Sequence, residues 1–340
     1  VKRVPEPPAA IGAAFESGLL PAGSRLLLAV SGGPDSMALL QAFHEAAPRF
    51  NTHFAAGHVD HGWRGPASAR DAQFVQRICV RLGVPFLLRA PHIERRGRSR
   101  EAAARQARYD ALSDMAAEFG ASGVVTAHTR DDAAETILLA LLRGRPLAGL
   151  AGVRPRREDG ILRPLLTVPR SAVLSYLARR KIPFRRDPSN RDESLDRNWV
   201  RRRLMPVLEG RLRGAAAQNL AASAEALERD REWLDEVFRR EVLSRFTVVE
   251  GGASAPVTFL AALPAGARRR ALLVMAAAAG TQQFSPTRRE LLELEHKILS
   301  GKPFRLQAGR QVDFRVRRGV LVASPMKPGS RYKISTQDDE

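Results

Sequence analysis

A doubly wound, parallel α/β domain followed by a mainly helical domain with a short terminal β element is the fold class this sequence predicts. Three observations lead there. Short apolar runs alternate with helical patterns as far as residue 143, the strand signal disappears past Leu208, and short strand-like runs return after residue 301. Strands that alternate with helices imply a parallel sheet whose crossover helices cover both faces.

The elements follow in order. RLLLAV (25–30) is a nearly all-apolar run that leads through Ser31-Gly32-Gly33 into the helical pattern MALLQAFHEA. HFAAGHVD (53–60) reads as a second strand, 69–83 as a helix, PFLLRA (85–90) as a third strand and 101–119 as a helix. GVVTAH (123–128) is a fourth strand leading directly into a helix over 131–143. In such a sheet the ligand site lies at the carboxyl ends of the strands. Leu220, Ala224, Leu227, Leu234 and Phe238 then follow helical spacing, which places a domain boundary near 209–214. Helices over 267–279 and 286–299 precede KPFRLQ, QVDFRV and GVLVAS, short strands joined around Gly309 and Gly319. The expected organisation is an N-terminal extension (1–24), a catalytic domain (25–210), a helical substrate-binding domain (211–325) and a mobile tail (326–340).

Composition bounds the function. The chain has 340 residues, and its longest Ala-rich apolar run, 271–280, is far short of the roughly 20 residues of a membrane span. Lys2 and Arg3 are followed by Pro5, Pro7 and Pro8 instead of an apolar leader, so the expectation is a soluble, cytoplasmic protein with no membrane partner. Cys79 is the only cysteine, which excludes an intramolecular disulfide, a Cys-pair redox motif and a multi-Cys zinc site within the chain. A net charge of +19 points to a polyanionic partner, with an Arg-rich compositional bias as the alternative. The charge is patchy. Between Arg179 and Arg203 ten basic residues face four acidic ones, and Arg95, Arg96, Arg98, Arg100, Arg105 and Arg108 form a second cluster around Glu101.

Ser31-Gly32-Gly33-Pro34-Asp35-Ser36 lies between a buried strand and a helix, where backbone N–H groups and the helix dipole meet a bound anion. The glycines let backbone approach phosphate, the hydroxyls donate, and Asp35 can bind the Mg2+ that accompanies a triphosphate. No Walker A lysine follows, so this is not a γ-phosphoryl P-loop. His58, Asp60 and His61 fall at the end of the second strand, and Arg105, Arg108 and Tyr109 on the helix after the third. In a helix His128, Asp132 and Glu135 share a face, and with Asp131 they can hold Mg2+, orient an ammonium group or accept its proton. A strand cap for His58 and His61, and an ordinary acidic helix start for Asp131 and Asp132, remain the alternatives.

The loop resembles that of the N-type ATP pyrophosphatases, which cleave ATP between the α- and β-phosphates to adenylate a substrate. The whole set is similar to the tRNA(Ile)-lysidine synthetase family: the loop, the His58-Val59-Asp60-His61-Gly62 segment, the Glu101-to-Tyr109 helix, the His128-to-Thr136 helix, then Arg163-Pro164-Leu165-Leu166, Asp187-Pro188-Ser189-Asn190 and Arg197-Asn198-Trp199-Val200-Arg201. That resemblance implies an adenine-nucleotide α-hydrolase-like fold and an enzyme that uses ATP and Mg2+. The reaction it implies is ligation of L-lysine to C2 of the wobble cytidine of tRNA(Ile) with a CAU anticodon, through an adenylated cytidine, giving lysidine, AMP and pyrophosphate. It further implies Ser31–Ser36 for ATP, Asp35 and Asp132 for the metal, and Arg105, His128, Asp131 and Glu135 for catalysis. His58, Asp60, His61 and Arg108 would position substrate, and Arg163, Arg197, Asn198, Arg201 and Arg202 would contact tRNA. A homodimer is left open. Arg143-Gly144-Arg145-Pro146 stands where the family continues Arg-Gly-x-Gly, and the proline stiffens that loop. Two rival readings are a tRNA thiolase of the same superfamily, for which Cys79 reads as a core residue, and a non-catalytic RNA-binding protein.

Overall fold

The computed structural model describes residues 4–60, 65–92, 100–145, 152–186, 192, 196–280, 286–309 and 311–326. His61, Pro146, the 187–190 segment and, beyond Met326, the expected tail lie outside them. The chain divides into two compact units, Val1–Arg231 and Glu232–Glu340.

The first unit is built on a parallel sheet of β1 (Arg25–Ala29), β2 (His53–Val59), β3 (Phe86–Arg89), β4 (Gly123–Val125) and β5 (Ile161–Leu162), in the order β3-β2-β1-β4-β5. Central β1 is covered on both faces, which is why its run is apolar without alternation. Leu26 and Leu28 join the core with Met37 and Phe43, while Leu27 joins Leu112 and Met115 on the other side. β5 was not expected, because two residues carry no period. Its first five α-helices are α1 (Pro7–Glu16), α2 (Pro34–Ala46), α3 (Pro66–Leu82), α4 (Arg100–Phe119) and α5 (Arg130–Leu142).

The segment expected as an extension is part of this unit. Ile11, Phe15 and Leu20 are buried in the α2 core, Phe15 stacks on Phe50 at 4.4 Å, and Arg156 donates to the Gly18 and Leu19 carbonyls at 3.2 and 2.9 Å. Strand order reverses between β1 and β4, so the chain leaves their carboxyl ends in opposite directions and opens a crevice there.

Arg213 and Gly214 take positive φ within the expected boundary, ending the helix Met205–Arg211. The next helix is Ala216–Glu241. Its first turns pack Ala216, Ala217 and Leu220 against Ala134, Val200 and Met205, which assigns them to the first unit.

In the second unit, β6 (Thr247–Val249), β7 (Gly252–Pro256), β8 (Arg305–Ala308), β9 (Val312–Arg317) and β10 (Val320–Pro325) form an antiparallel sheet in the order β6-β7-β10-β9-β8. The three terminal strands were expected. β6 and β7 come from TVVEGGASAP, in which β6 is only three residues long and the small residues of β7 carry little strand propensity. Helices Ala265–Ala279 and Arg288–Ser300 supply Leu272, Met275, Leu294 and Ile298 to a core shared with Phe314 and Leu321. Among the described residues no helix is long and apolar enough to cross a membrane.

Candidate active site

A cavity of about 600 Å3 occupies the crevice. The loop between β1 and α2 forms one wall. Gly32 sits at φ +85°, and a Cβ there would meet Val75 Cγ2 at 3.2 Å, so glycine is required both for the turn and for the packing beneath it. Ser36 Oγ donates to the Gly33 carbonyl at 3.0 Å, accepts from the Ser31 amide at 3.2 Å, and lies 3.3 Å from Ser31 Oγ. These bonds hold the loop in shape before any ligand arrives. Gly33 gives α2 no side-chain cap and Pro34 has no N–H, so the positive end of the helix faces the cavity.

Asp35 stands in the first turn of α2, 3.1 Å from Arg170 Nη1. Burial pushes its carboxyl up to about 6; Arg170 pulls the other way, and Asp132 adds to the rise. Its Oδ1 is buried with no hydrogen-bond partner among the described residues, an oxygen suited to the cation that accompanies a triphosphate. Asp132 does not fit that role. Its Oδ2 accepts the Thr129 amide and hydroxyl, both at 2.9 Å, and its Oδ1 accepts Arg197 at 3.0 Å and Arg201 at 2.9 Å. Burial alone would raise its pKa, but the two guanidiniums and the amide hold it below the usual carboxylate range.

His58 and His128 reach the cavity from the ends of β2 and β4. His58 donates Nδ1–H to the Val30 carbonyl at 2.8 Å, which leaves Nε2 as an acceptor, and burial holds its pKa below the ordinary histidine value. His128 lies outside α5, because Thr129 and Asp132 form a capping box that starts the helix at Arg130. The shared helical face expected for His128, Asp132 and Glu135 therefore does not form. His128 Nδ1 is 2.9 Å from Thr126 Oγ1, and burial, with Arg163 next, holds its pKa below the ordinary histidine value. Asp60 also lines the cavity, and its amide donates to the Arg89 carbonyl.

Glu135 departs furthest from expectation. Only 2% exposed, it lies under the cavity wall: Oε1 accepts Arg201 Nε at 2.5 Å, and Oε2 accepts Arg201 Nη2 at 2.8 Å and Arg197 Nε at 3.1 Å. Its carboxylate holds two arginines. Arg197 and Arg201, expected on the RNA path, are thereby fixed in the wall of the cavity. Two other expected RNA contacts are also interior. Arg163 is 4% exposed and donates to the Arg154 carbonyl at 2.7 Å, and buried Asn198 donates to the Asp192 carbonyl at 2.8 Å. Arg202 is exposed.

Asp131 accepts the Arg170 amide at 2.8 Å and so caps the helix Arg170–Arg179, whose N-cap Pro169 has no side-chain bond to offer. It is not among the residues that line the cavity. Asp131→Ala is expected to lower stability by about 1 kcal/mol and to leave turnover within about threefold of the parent, measured by thermal unfolding and pyrophosphate release. A hundredfold loss in a folded variant would return Asp131 to the catalytic set. Sequence reasoning missed Arg170, the ionic partner of Asp35. Nothing around it in the sequence marks it; only the packing of its helix on α2 does.

Residues 10–208 match the PP-loop domain family. A tRNA(Ile)-lysidine synthase of Symbiobacterium thermophilum is 39% identical over 228 residues, 65% of this chain and 47% of that protein. One of Thermus thermophilus is 39% identical over 309 residues, 89% of this chain and 57% of that protein. One of Gloeobacter violaceus is 40% identical over 259 residues, 75% of this chain and 77% of that protein. The chain thus spans about half the length of the first two. Among solved structures, the U34-tRNA thiolase NcsA from Methanococcus maripaludis superposes with a TM-score of 0.55 at 16% identity, over 66% of this chain and 78% of that one, a likeness of fold alone.

Proposed function

This chain belongs to the PP-loop domain family and, within it, to the tRNA(Ile)-lysidine synthases, and on that premise we propose that it joins L-lysine to C2 of the wobble cytidine of a CAU-anticodon tRNA(Ile), using ATP. The observation that carries the reading is one cavity in which the uncapped start of α2 faces the guanidiniums of Arg105, Arg108, Arg197 and Arg201. Such a site suits an adenylation in which charge develops on phosphate oxygens.

In this reading the loop Ser31–Ser36 cradles the triphosphate by its amides and the α2 dipole. Asp35 holds Mg2+, which neutralises phosphate charge when bound. Cytidine O2 attacks the α-phosphorus, pyrophosphate leaves, and the lysine ε-amine then displaces AMP from C2. Arg197 and Arg201, locked on Asp132 and Glu135, meet the developing charge without having to reorganise. His58 Nε2 accepts a hydrogen bond from a bound substrate. The protein would act in the cytoplasm.

Incubation with ATP, labelled lysine and a CAU-anticodon tRNA(Ile) transcript tests this. Pyrophosphate release that depends on tRNA, with lysine incorporated into RNA, is the expected result; release without tRNA, or none, overturns it. The thiolase reading meets a physical obstacle. Cys79 is fully buried in the α3 face of the core, and burial pushes its thiol up to about 11, so it offers no thiolate at neutral pH. Cys79→Ala should lose about 1 kcal/mol of stability and retain most lysine transfer. A folded but inactive variant would favour sulfur chemistry.

A further inference from the structure

Tyr109, on α4, lies at the centre of a concentration of positive charge. The guanidinium carbons of Arg105 and Arg108 are each 5.1 Å from its ring centroid, and that of Arg157 is 5.0 Å away. Its hydroxyl accepts Arg105 Nη2 at 3.3 Å, and Arg108 and Arg163 lie close enough to act on it electrostatically. Among the described residues, Arg157 alone of these four has an acidic partner, Asp159. The Nε atoms of Arg108 and Arg163 are buried without hydrogen-bond partners among the described residues. Four cations from two chain segments would repel one another without a common acceptor. The aromatic ring supplies the negative face of its quadrupole, and the phenol oxygen supplies lone pairs. Tyr109 itself is held, because its ring packs against the core on the Leu27 face of the sheet.

The position of this group matters. Arg105 and Arg108 line the ATP-side cavity, while Arg105, Arg157 and Arg163 line a second cavity of about 1190 Å3 that shares Arg105, His128, Arg197 and Asn198 with the first. We infer that Tyr109 is a positioning residue that gathers Arg105, Arg108, Arg157 and Arg163 into one phosphate-binding subsite at the border of the two cavities. Planar guanidiniums with unfilled donors recognise phosphate oxygens, and among the described residues no carboxylate is paired with three of them. The phosphate belongs either to the nucleotide or to the RNA backbone. Burial would raise the phenol pKa, yet Arg105, Arg108 and Arg163 hold it below its ordinary value, which is consistent with a hydroxyl crowded by cations. The inference rests on the reading above for the identity of the ligands, but not for the existence of the subsite.

Three variants test it: Tyr109→Leu removes ring and hydroxyl, Tyr109→Phe keeps the ring, and Arg157→Gln removes one cation at the rim. Affinities for ATP and for the tRNA transcript are measured by direct titration, the latter at several salt concentrations, beside kcat and KM for pyrophosphate release. Tyr109→Leu is expected to weaken one ligand about tenfold, with kcat falling less than kcat/KM, and Tyr109→Phe to restore at least part of the loss. Arg157→Gln should weaken the same ligand about threefold. A loss confined to ATP assigns the phosphate to the nucleotide. A loss confined to RNA, with the log–log salt slope shrinking by about one, assigns it to the backbone. Unchanged affinity for both ligands in a folded Tyr109→Leu, or a fall in kcat alone, overturns the inference. Should Tyr109→Leu not fold, unchanged binding in both Tyr109→Phe and Arg157→Gln overturns it equally. The binding titrations need no lysine transfer: altered affinity in the variants of a protein that releases no pyrophosphate would sink the proposed reaction and leave the subsite standing.

Discussion

Asp35→Asn is expected to reduce tRNA-dependent pyrophosphate release by about 10²–10³-fold and at the same time to make the free protein more stable at pH 7. The first effect follows from removing the one buried carboxylate oxygen in the cavity that has no hydrogen-bond partner among the described residues. The second follows from linkage. Asp35 has an unfolded value near 3.8 and a folded value of about 6, because burial outweighs the attraction of Arg170. A carboxyl whose folded pKa is raised contributes stability that is complete below pH 4 and is lost as pH rises through 6. Asparagine mimics the protonated form at every pH. With the side chain 20% exposed, the gain at pH 7 should be on the order of 2 kcal/mol. Denaturant unfolding without metal between pH 4 and 8 measures it: the parent loses stability across the window relative to the variant. A variant of equal or lower stability at pH 7 would contradict the burial argument, and near-normal turnover would remove Asp35 from the metal site.

Arg201→Ala should be the most destabilising single change at the site. It leaves Glu135, 2% exposed, with Arg197 as its remaining partner, and takes one of the two cations from Asp132. Breaking a buried pair from one side costs about 3 kcal/mol or more, because the surviving charge stays desolvated. Activity should fall at least about 100-fold, since this guanidinium also lines the cavity. A second change separates the two losses. Adding Glu135→Gln to Arg201→Ala neutralises the stranded carboxylate and should restore more than half of the lost stability while returning none of the activity. Thermal unfolding and pyrophosphate release on both variants give the answer. If the double variant is less stable than Arg201→Ala, Glu135 is not the stranded group. If Arg201→Ala folds normally but loses RNA affinity with a smaller salt slope, the arginine contacts RNA instead.

Much of the first unit was legible in the sequence because its information is local. Leu26, Leu27 and Leu28 form an uninterrupted apolar run, and a run without alternation is what a strand covered on both faces requires. The loop from Ser31 to Ser36 was legible for the same reason: strand end, glycine turn and helix start are contiguous, so the anion site is built by neighbours in the chain. The second sheet was only partly visible, since β6 is three residues long and β7 contains Gly, Ala and Ser that pair because β10 lies beside it.

By itself, then, the sequence determined four strands of the first sheet with the helices after them, the three terminal strands, where the glycine loop lies, and that a polyanion is the partner its charge suits. Only the tertiary structure decided what the charged side chains do. Arg170 meets Asp35, and Arg197 and Arg201 meet Glu135, across chain separations that no helical or strand period can express. Arginines that read as RNA contacts became ligands of buried acids, and acids that read as metal and amine ligands became anchors for arginines. The reason is electrostatic. A charge in a low-dielectric crevice must find its opposite nearby, and which opposite is near depends on the order β3-β2-β1-β4-β5 and the helices packed on it, not on distance along the chain.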